Sequence, residues 1–209
     1  MQIRADLSQP ALVNPDDWQW VDSPQAGVRR VMLDRQGDEV AVATSFVRYA
    51  PESRFAGHDH ARGEEFLVLE GEFADEHGRY PPGSHHSPFS DPGCLIWVKL
   101  RQFYPEDGVQ MALTLDSAPP TSGQRRRLLH EHGDEQVMEI TASGGSRVEL
   151  EAQTVAQEVL VLEGRLTVDG SALEPLSWLR VPAGEGRTLI SEAACRLFWK
   201  TRPNVDWGD

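Results

Sequence analysis

The hydrophobic positions of this chain fall in short runs, alternating or continuous, separated by glycine, proline and acidic residues. In the first half these runs are Val40–Tyr49 (VAVATSFVRY), Phe66–Leu69, Leu95–Leu100 and Gln110–Leu115. In the second half they are Val159–Leu162, Leu166–Val168, Trp178–Val181 and Arg196–Trp199. Alternation with period two sends successive side chains to opposite faces of a strand. β-Branched residues add to the same preference. Each run therefore predicts a strand, and none has the length and 3.6-residue period of an amphipathic helix. Many short strands joined by Gly/Pro turns predict an all-β barrel or sandwich.

The pattern occurs twice. Leu67-Val68-Leu69-Glu70-Gly71 recurs unchanged as Leu160-Val161-Leu162-Glu163-Gly164, an offset of 93. Before it, Leu33–Glu39 matches Leu129–Glu135 at an offset of 96. After it, Pro81-Pro82-Gly83 matches Pro182-Ala183-Gly184, Cys94 matches Cys195 and Lys99 matches Lys200, all at 101. Several matches in one order indicate two copies of one unit. The join falls in Ser117–Gln124, which has loop composition, so the expected lobes are 1–118 and 119–209. From Gly71 to Gly83 is 12 residues, whereas from Gly164 to Gly184 is 20. The second copy fills the difference with Leu176–Val181, which reads as a strand. In the first copy either a strand is lost or a segment is absent.

Composition narrows the partners. The chain has 209 residues and a formal net charge of −13. An acidic surface repels phosphates, which argues against nucleic acid and anionic membrane. The one basic run, Arg125-Arg126-Arg127, reads as the solvated end of a linker. The N-terminus has no apolar signal region, and no stretch is long and apolar enough to span a membrane. With two cysteines only, a reducing, cytoplasmic location is expected. Cys94 and Cys195 hold equivalent places in separate lobes. They are expected to be small buried residues, unbridged, with oxidant sensing by Cys94 the lesser alternative.

The histidines are not spread evenly. His58-Asp59-His60 puts two imidazoles on one face of a strand, which makes half of a metal site. Glu64 and Glu65 follow closely, and His86 lies on a separate segment. Three histidines and one glutamate form a nitrogen/oxygen donor set without thiolate. Such a set suits Fe(II), Mn(II), Ni(II), Cu(II) or Zn(II), and the spacing does not choose among them. His77 beside Gly78 reads as a solvated turn residue. His130-Glu131-His132 is a second H-x-H, but its repeat partner is Asp34-Arg35-Gln36, so an exposed hairpin is expected.

Gly57–Gly71 resembles the first cupin motif, H-x-H-x3-E-x6-G, with His58, His60, Glu64 and Gly71 in its positions. The continuation Phe73–Pro81, the segment His86–Cys94 and Val98-Lys99-Leu100 resemble the ChrR-like cupins, the metal-binding domains of anti-sigma factors and their stand-alone relatives. The resemblance covers about Val28–Leu115 and continues, degenerate, over about Arg127–Thr201. It implies two double-stranded β-helix (jelly-roll) barrels in tandem, with the metal inside the first. It implies His58, His60, Glu64 and His86 as ligands, with Glu65 and His85 as rivals. One divalent metal ion is expected (Zn, Fe, Mn or Ni), with Zn favoured by the resemblance. The 8-residue shortfall departs from the family pattern just before His86. In the second copy the ligand positions become Glu151, Gln153, Gln157 and Arg187, a poor metal site. Arg187 is expected inside the barrel, either paired with Glu151 or binding an anion, and the lobe itself is expected to be structural.

Two functions follow from the resemblance. One is a metal-containing regulator or stress sensor related to ChrR. Residues 1–27 contain no Cys or His for the zinc-binding helical domain that grips a sigma factor, so anti-sigma activity is the weaker part of this reading. The other is a dioxygenase acting on a small diketone or enediol, with Glu64 as ligand or base. Strand parity nominates Phe46, Tyr49, Phe66 and Trp97 as pocket residues. A binding module without chemistry is the third reading, and the sequence leaves both a small-molecule ligand and a homodimer open.

Overall fold

The structure is a computed structural model. It describes all residues except 39–40, 55–62, 76–77, 81–88, 91, 105, 108, 110, 116 and 204–209. Contacts divide the chain into two compact units: Met1–Ala5 with Gln19–Asp116, and Asp6–Trp18 with Ser117–Asp209. The first half contributes β1 (Gln2–Ile3), β2 (Ala11–Val13), β3 (Val21–Asp22), β4 (Val28–Gln36), β5 (Val42–Tyr49), β6 (Ser53–Arg54), β7 (Glu64–Gly71), β8 (Phe73–Asp75), β9 (Gly78–Tyr80), β10 (Phe89–Ser90) and β11 (Cys94–Leu100). The second half contributes β12 (Gln124–His132), β13 (Glu135–Ala142), β14 (Arg147–Leu150), β15 (Gln157–Glu163), β16 (Leu166–Val168), β17 (Ser171–Leu173), β18 (Trp178–Val181), β19 (Arg187–Ser191) and β20 (Cys195–Thr201). Among the described residues the one helical element is a 3-10 turn at Pro15–Asp17, and no helix is long and apolar enough to cross a membrane.

Each unit is a double-stranded β-helix barrel made of a large and a small antiparallel sheet. In the first, the large sheet runs β1-β4-β5-β11-β7 with β3 also on β4, and the small one runs β6-β10-β8-β9. In the second, the orders are β12-β13-β20-β15-β18-β2 and β14-β19-β16-β17. The second core joins both sheets: Ile140, Val159, Val161, Leu197 and Trp199 come from the large one, and Val148, Leu166, Leu173 and Leu189 from the small one. The first core gathers Val28, Tyr49, Phe66, Val68, Cys94, Ile96 and Val98 around Phe73. The opposite face of β11 is buried as well, at Leu95, Trp97 and Lys99. Strands covered on both faces read as continuous apolar runs, which is how Leu95–Val98 reads.

The sequence repeat is a repeat of local backbone devices. The β4–β5 register shifts between Met32 and Asp34, and β12–β13 shifts between Leu128 and His130. The residues passed over, Leu33 and Leu129, are repeat equivalents. Likewise the β7–β11 register passes over Leu69, and β15–β20 passes over Leu162. Such bulges bend a strand and add twist, as a small barrel requires. The glycine closing each Leu-Val-Leu-Glu-Gly is left-handed, with φ of +74° at Gly71 and +85° at Gly164. A Cβ at Gly71 would lie 2.0 Å from the Gly93 carbonyl oxygen, and one at Gly164 would lie 2.5 Å from that of Ala194.

Several expectations change. Residues 111–115 have no regular structure, and Gln110 lies outside the described residues, so the strand expected over Gln110–Leu115 is not seen. Hydrophobic alternation there was too short to compete with loop conformations. Arg125-Arg126-Arg127 lies within β12 and is not a linker end. Asp6–Trp18 packs with the second unit, where β2 pairs with β18, although the sequence reading placed all of 1–118 in the first lobe. That strand pairing lies far apart in sequence and leaves no local signal. The strand expected at Trp178–Val181 is β18. Among the described residues of the first unit, β7 pairs on one side only, with β11. Residues 81–88, where the shortfall lies, are outside the described residues.

Candidate metal centre

Glu64 opens β7 directly after Gly63, whose φ is +80°. A side chain at Gly63 would meet the Phe103 ring at 2.7 Å, so glycine permits the close approach of chain to ring. The Gly63 carbonyl accepts from the Arg101 N–H at 3.1 Å, which ties the start of β7 to the end of β11. Glu64 lies opposite Leu100, and Glu65 opposite Lys99. Side chains alternate along β7, so Glu64 shares the face of Phe66 and Val68, which belong to the interior core. Glu65 shares the other face with the buried Lys99. The two adjacent carboxylates, rivals in the sequence, thus point to opposite sides of the sheet.

The wall around this face is aromatic. The Phe66 and Phe73 rings meet edge-on at 4.8 Å, and the Tyr49 and Phe73 rings lie 5.3 Å apart. Burial pushes the Glu64 carboxyl up to about 7. It also pushes the Tyr49 hydroxyl far above its ordinary range, with the nearby Glu64 and Cys94 adding to the effect. Of the pocket residues nominated by parity, Tyr49 and Phe66 are interior. Phe46 and Trp97 are a cross-strand pair on the opposite face, because Tyr49 pairs with Cys94 three residues away along each strand. Phe73 was missed, and its signal was available: it begins a new strand just beyond the Gly71 bend. His58, His60, His77, His85 and His86 lie outside the described residues.

The second lobe fills the equivalent place differently. Gln157, the counterpart of Glu64, is fully buried. Its Nε2 donates to the carbonyls of Glu151 at 2.8 Å and Glu185 at 3.2 Å, and its Oε1 accepts from Trp199 Nε1 at 2.8 Å. That amide has all the partners such a group needs. Arg187 pairs with Asp169 at 3.1 Å and Glu185 at 2.6 Å, while Glu151 is exposed. The Arg187–Glu151 pair considered from the sequence is therefore replaced, because carboxylates on adjoining turns are nearer. His130 and His132 lie on the β12–β13 hairpin as expected, though half-buried. Neither cysteine forms a disulfide and both are buried.

The fold has wide relatives. YhhW of Escherichia coli, described as a bacterial pirin in complex with nickel(II), superposes with a TM-score of 0.67 at 14% identity, covering 94% of this chain and 100% of that one. A Nostoc punctiforme protein provisionally named a dioxygenase gives 0.67 at 12%, covering 96% and 85%. A cupin 2 conserved barrel protein of Leptotrichia buccalis gives 0.65 at 12%, covering 96% and 99%. At these identities the likeness is one of fold. No curated protein matches the sequence. Residues 8–104 match the family described as the ChrR cupin-like domain.

Proposed function

We propose that the first lobe is a metal-binding regulatory module, holding one divalent ion through His58, His60, Glu64 and His86. The observation that carries this reading is the setting of Glu64. A desolvated carboxylate on the strand face of Phe66 and Val68, near enough to Tyr49 to act on its hydroxyl, is costly as an anion, and a divalent cation beside it offsets that cost. Three imidazoles and a carboxylate suit a divalent first-row metal. Zinc is the first choice by kinship with ChrR, and nickel is the ion in the YhhW complex. The second lobe supports the first as a structural partner, since Gln157 and Arg187 are already satisfied by protein groups. A sigma factor is the partner that kinship suggests, and a cytoplasmic location belongs to the same reading.

Metal analysis of the purified chain by mass spectrometry tests the premise. About one divalent ion per chain is expected. The paired substitutions His58→Ala and His60→Ala should abolish it. Unchanged metal in that variant, or two ions per chain, would overturn the assignment.

A dioxygenase is the second reading, supported by the aromatic wall and by the provisional name of the Nostoc relative. A redox-active metal there would supply the means to activate dioxygen. Glu64 would hold the ion, and Tyr49, Phe66 and Phe73 would exclude water and bind an apolar part of the substrate. Dioxygen uptake with Fe(II) and a panel of diketones separates the two readings.

A further inference from the structure

The two large sheets are finished differently at the same edge. In the first unit the outer edge of β4 carries β3, with Val21 opposite Arg30 and Asp22 opposite Arg29. It also carries β1, with Gln2 opposite Gln36. Asp22 and Arg29 pair at 3.1 Å, and the Arg29 guanidinium lies 5.9 Å from the Trp20 ring. An acidic, aromatic-flanked segment thus covers an arginine-bearing edge.

The offset of 96 that relates Leu33 to Leu129 carries Arg29 and Arg30 onto Arg125 and Arg126 of β12. Among the described residues, β12 pairs with β13 on one side and with no strand on the other. Gln124, Arg125 and Arg126 are exposed, and Leu128 is 52% exposed. Arg127 turns toward Glu139 at 3.4 Å, and Arg126 donates to the Glu149 carbonyl. The edge is therefore basic, with an apolar position at one end, in a chain of net charge −13.

We propose that the outer edge of β12, Gln124–Leu128, is a docking strand for an acidic extended segment of a partner protein, which adds antiparallel as β3 adds to β4. Main-chain hydrogen bonds would supply the attachment and alternate side chains the selectivity. Charge picks the occupant. Antiparallel self-pairing centred on Arg126 would set Arg126 against Arg126 and Arg125 against Arg127 of a second copy, and like charges directly opposite are destabilising. An aspartate or glutamate opposite Arg125 repeats the Asp22–Arg29 pair. The proposal is independent of the metal centre.

The test uses the full chain and a synthetic peptide, capped at both ends, with the sequence of residues 18–24 (WQWVDSP). The peptide is titrated into isotopically labelled protein and amide shifts are followed. Saturable shifts centred on Gln124–Leu128 are expected. Replacing the peptide's aspartate with lysine should abolish them. The paired substitutions Arg125→Glu and Arg126→Glu should weaken binding at least ~10-fold, a size typical of one lost charge-assisted contact. Both side chains are exposed, so this variant should melt close to wild type, and the lysine peptide tests the idea whether or not it does. No saturable shift would overturn the proposal, leaving the arginines as charges that guard a bare edge. Shifts confined to β4, indifference to charge reversal, or tighter binding of a random oligonucleotide at the same residues would also overturn it.

Discussion

At the scale of residues, Glu64 in the first lobe stands where the second lobe has Gln157. Burial lets Glu64 keep its proton to about pH 7 in the metal-free folded chain. The unfolded chain releases that proton at an ordinary glutamate value, so it binds fewer protons across that window. Stability of the metal-free protein should therefore fall as pH rises from about 4.5 toward 7 and level off above. Urea unfolding of metal-stripped protein across that range checks this, and Glu64→Gln should flatten the slope. Metal affinity should rise over the same range, because the ion displaces the proton. The closing glycines give a second residue-scale test. Gly164→Ala combines a left-handed φ with a 2.5 Å contact to backbone, whereas Gly170→Ala has φ +80° and open space. Forcing alanine into the left-handed region costs about 1–2 kcal/mol. Gly170→Ala should lose about that in urea unfolding, and Gly164→Ala distinctly more. The choice of Glu64 over Glu65 was legible in the motif spacing, but its physical reason was not. Which face lies inside depends on the register of β7 against β11.

At the scale of elements, period-two patterning located most strands because each has one face in a core. It failed where that link breaks. Residues 111–115 alternate but form no strand, and the charged stretch Gln124–Arg127 forms one without alternating apolar residues, since it lies at an edge. It also could not assign β2. Leu12 lies opposite Leu179 and packs against the second core, Arg180 donates to the carbonyls of Asp6 at 3.0 Å and Gln9 at 3.2 Å, and Ser177 donates to Asn14 at 2.7 Å. The paired substitutions Leu12→Ala and Asn14→Ala should cost the second unit about 2–4 kcal/mol, from a partly buried leucine and one hydrogen bond. Hydrogen exchange should quicken at Trp178–Val181. Unchanged protection there would mean that β2 is dispensable to β18.

At the scale of the whole molecule, two barrels of one design carry different interiors. A chelator should therefore act on one of them. Removing metal should speed amide exchange in β5, β7 and β11 and leave β13, β15 and β20 as they were, because Gln157 is held by protein groups alone. Equal loosening of both barrels would contradict a metal confined to the first lobe.

The sequence by itself determined the all-β class, the internal repeat and the resemblance to the ChrR-like cupins. Those properties are written in local period, turn residues and motif spacing, which survive without any knowledge of distant contacts. Tertiary structure alone decided which carboxylate faces the core, why the repeated glycines are required, which lobe takes Asp6–Trp18, and that the arginine run is a strand edge. Each of these depends on which strand lies beside which, and a shift of one residue in register exchanges the faces.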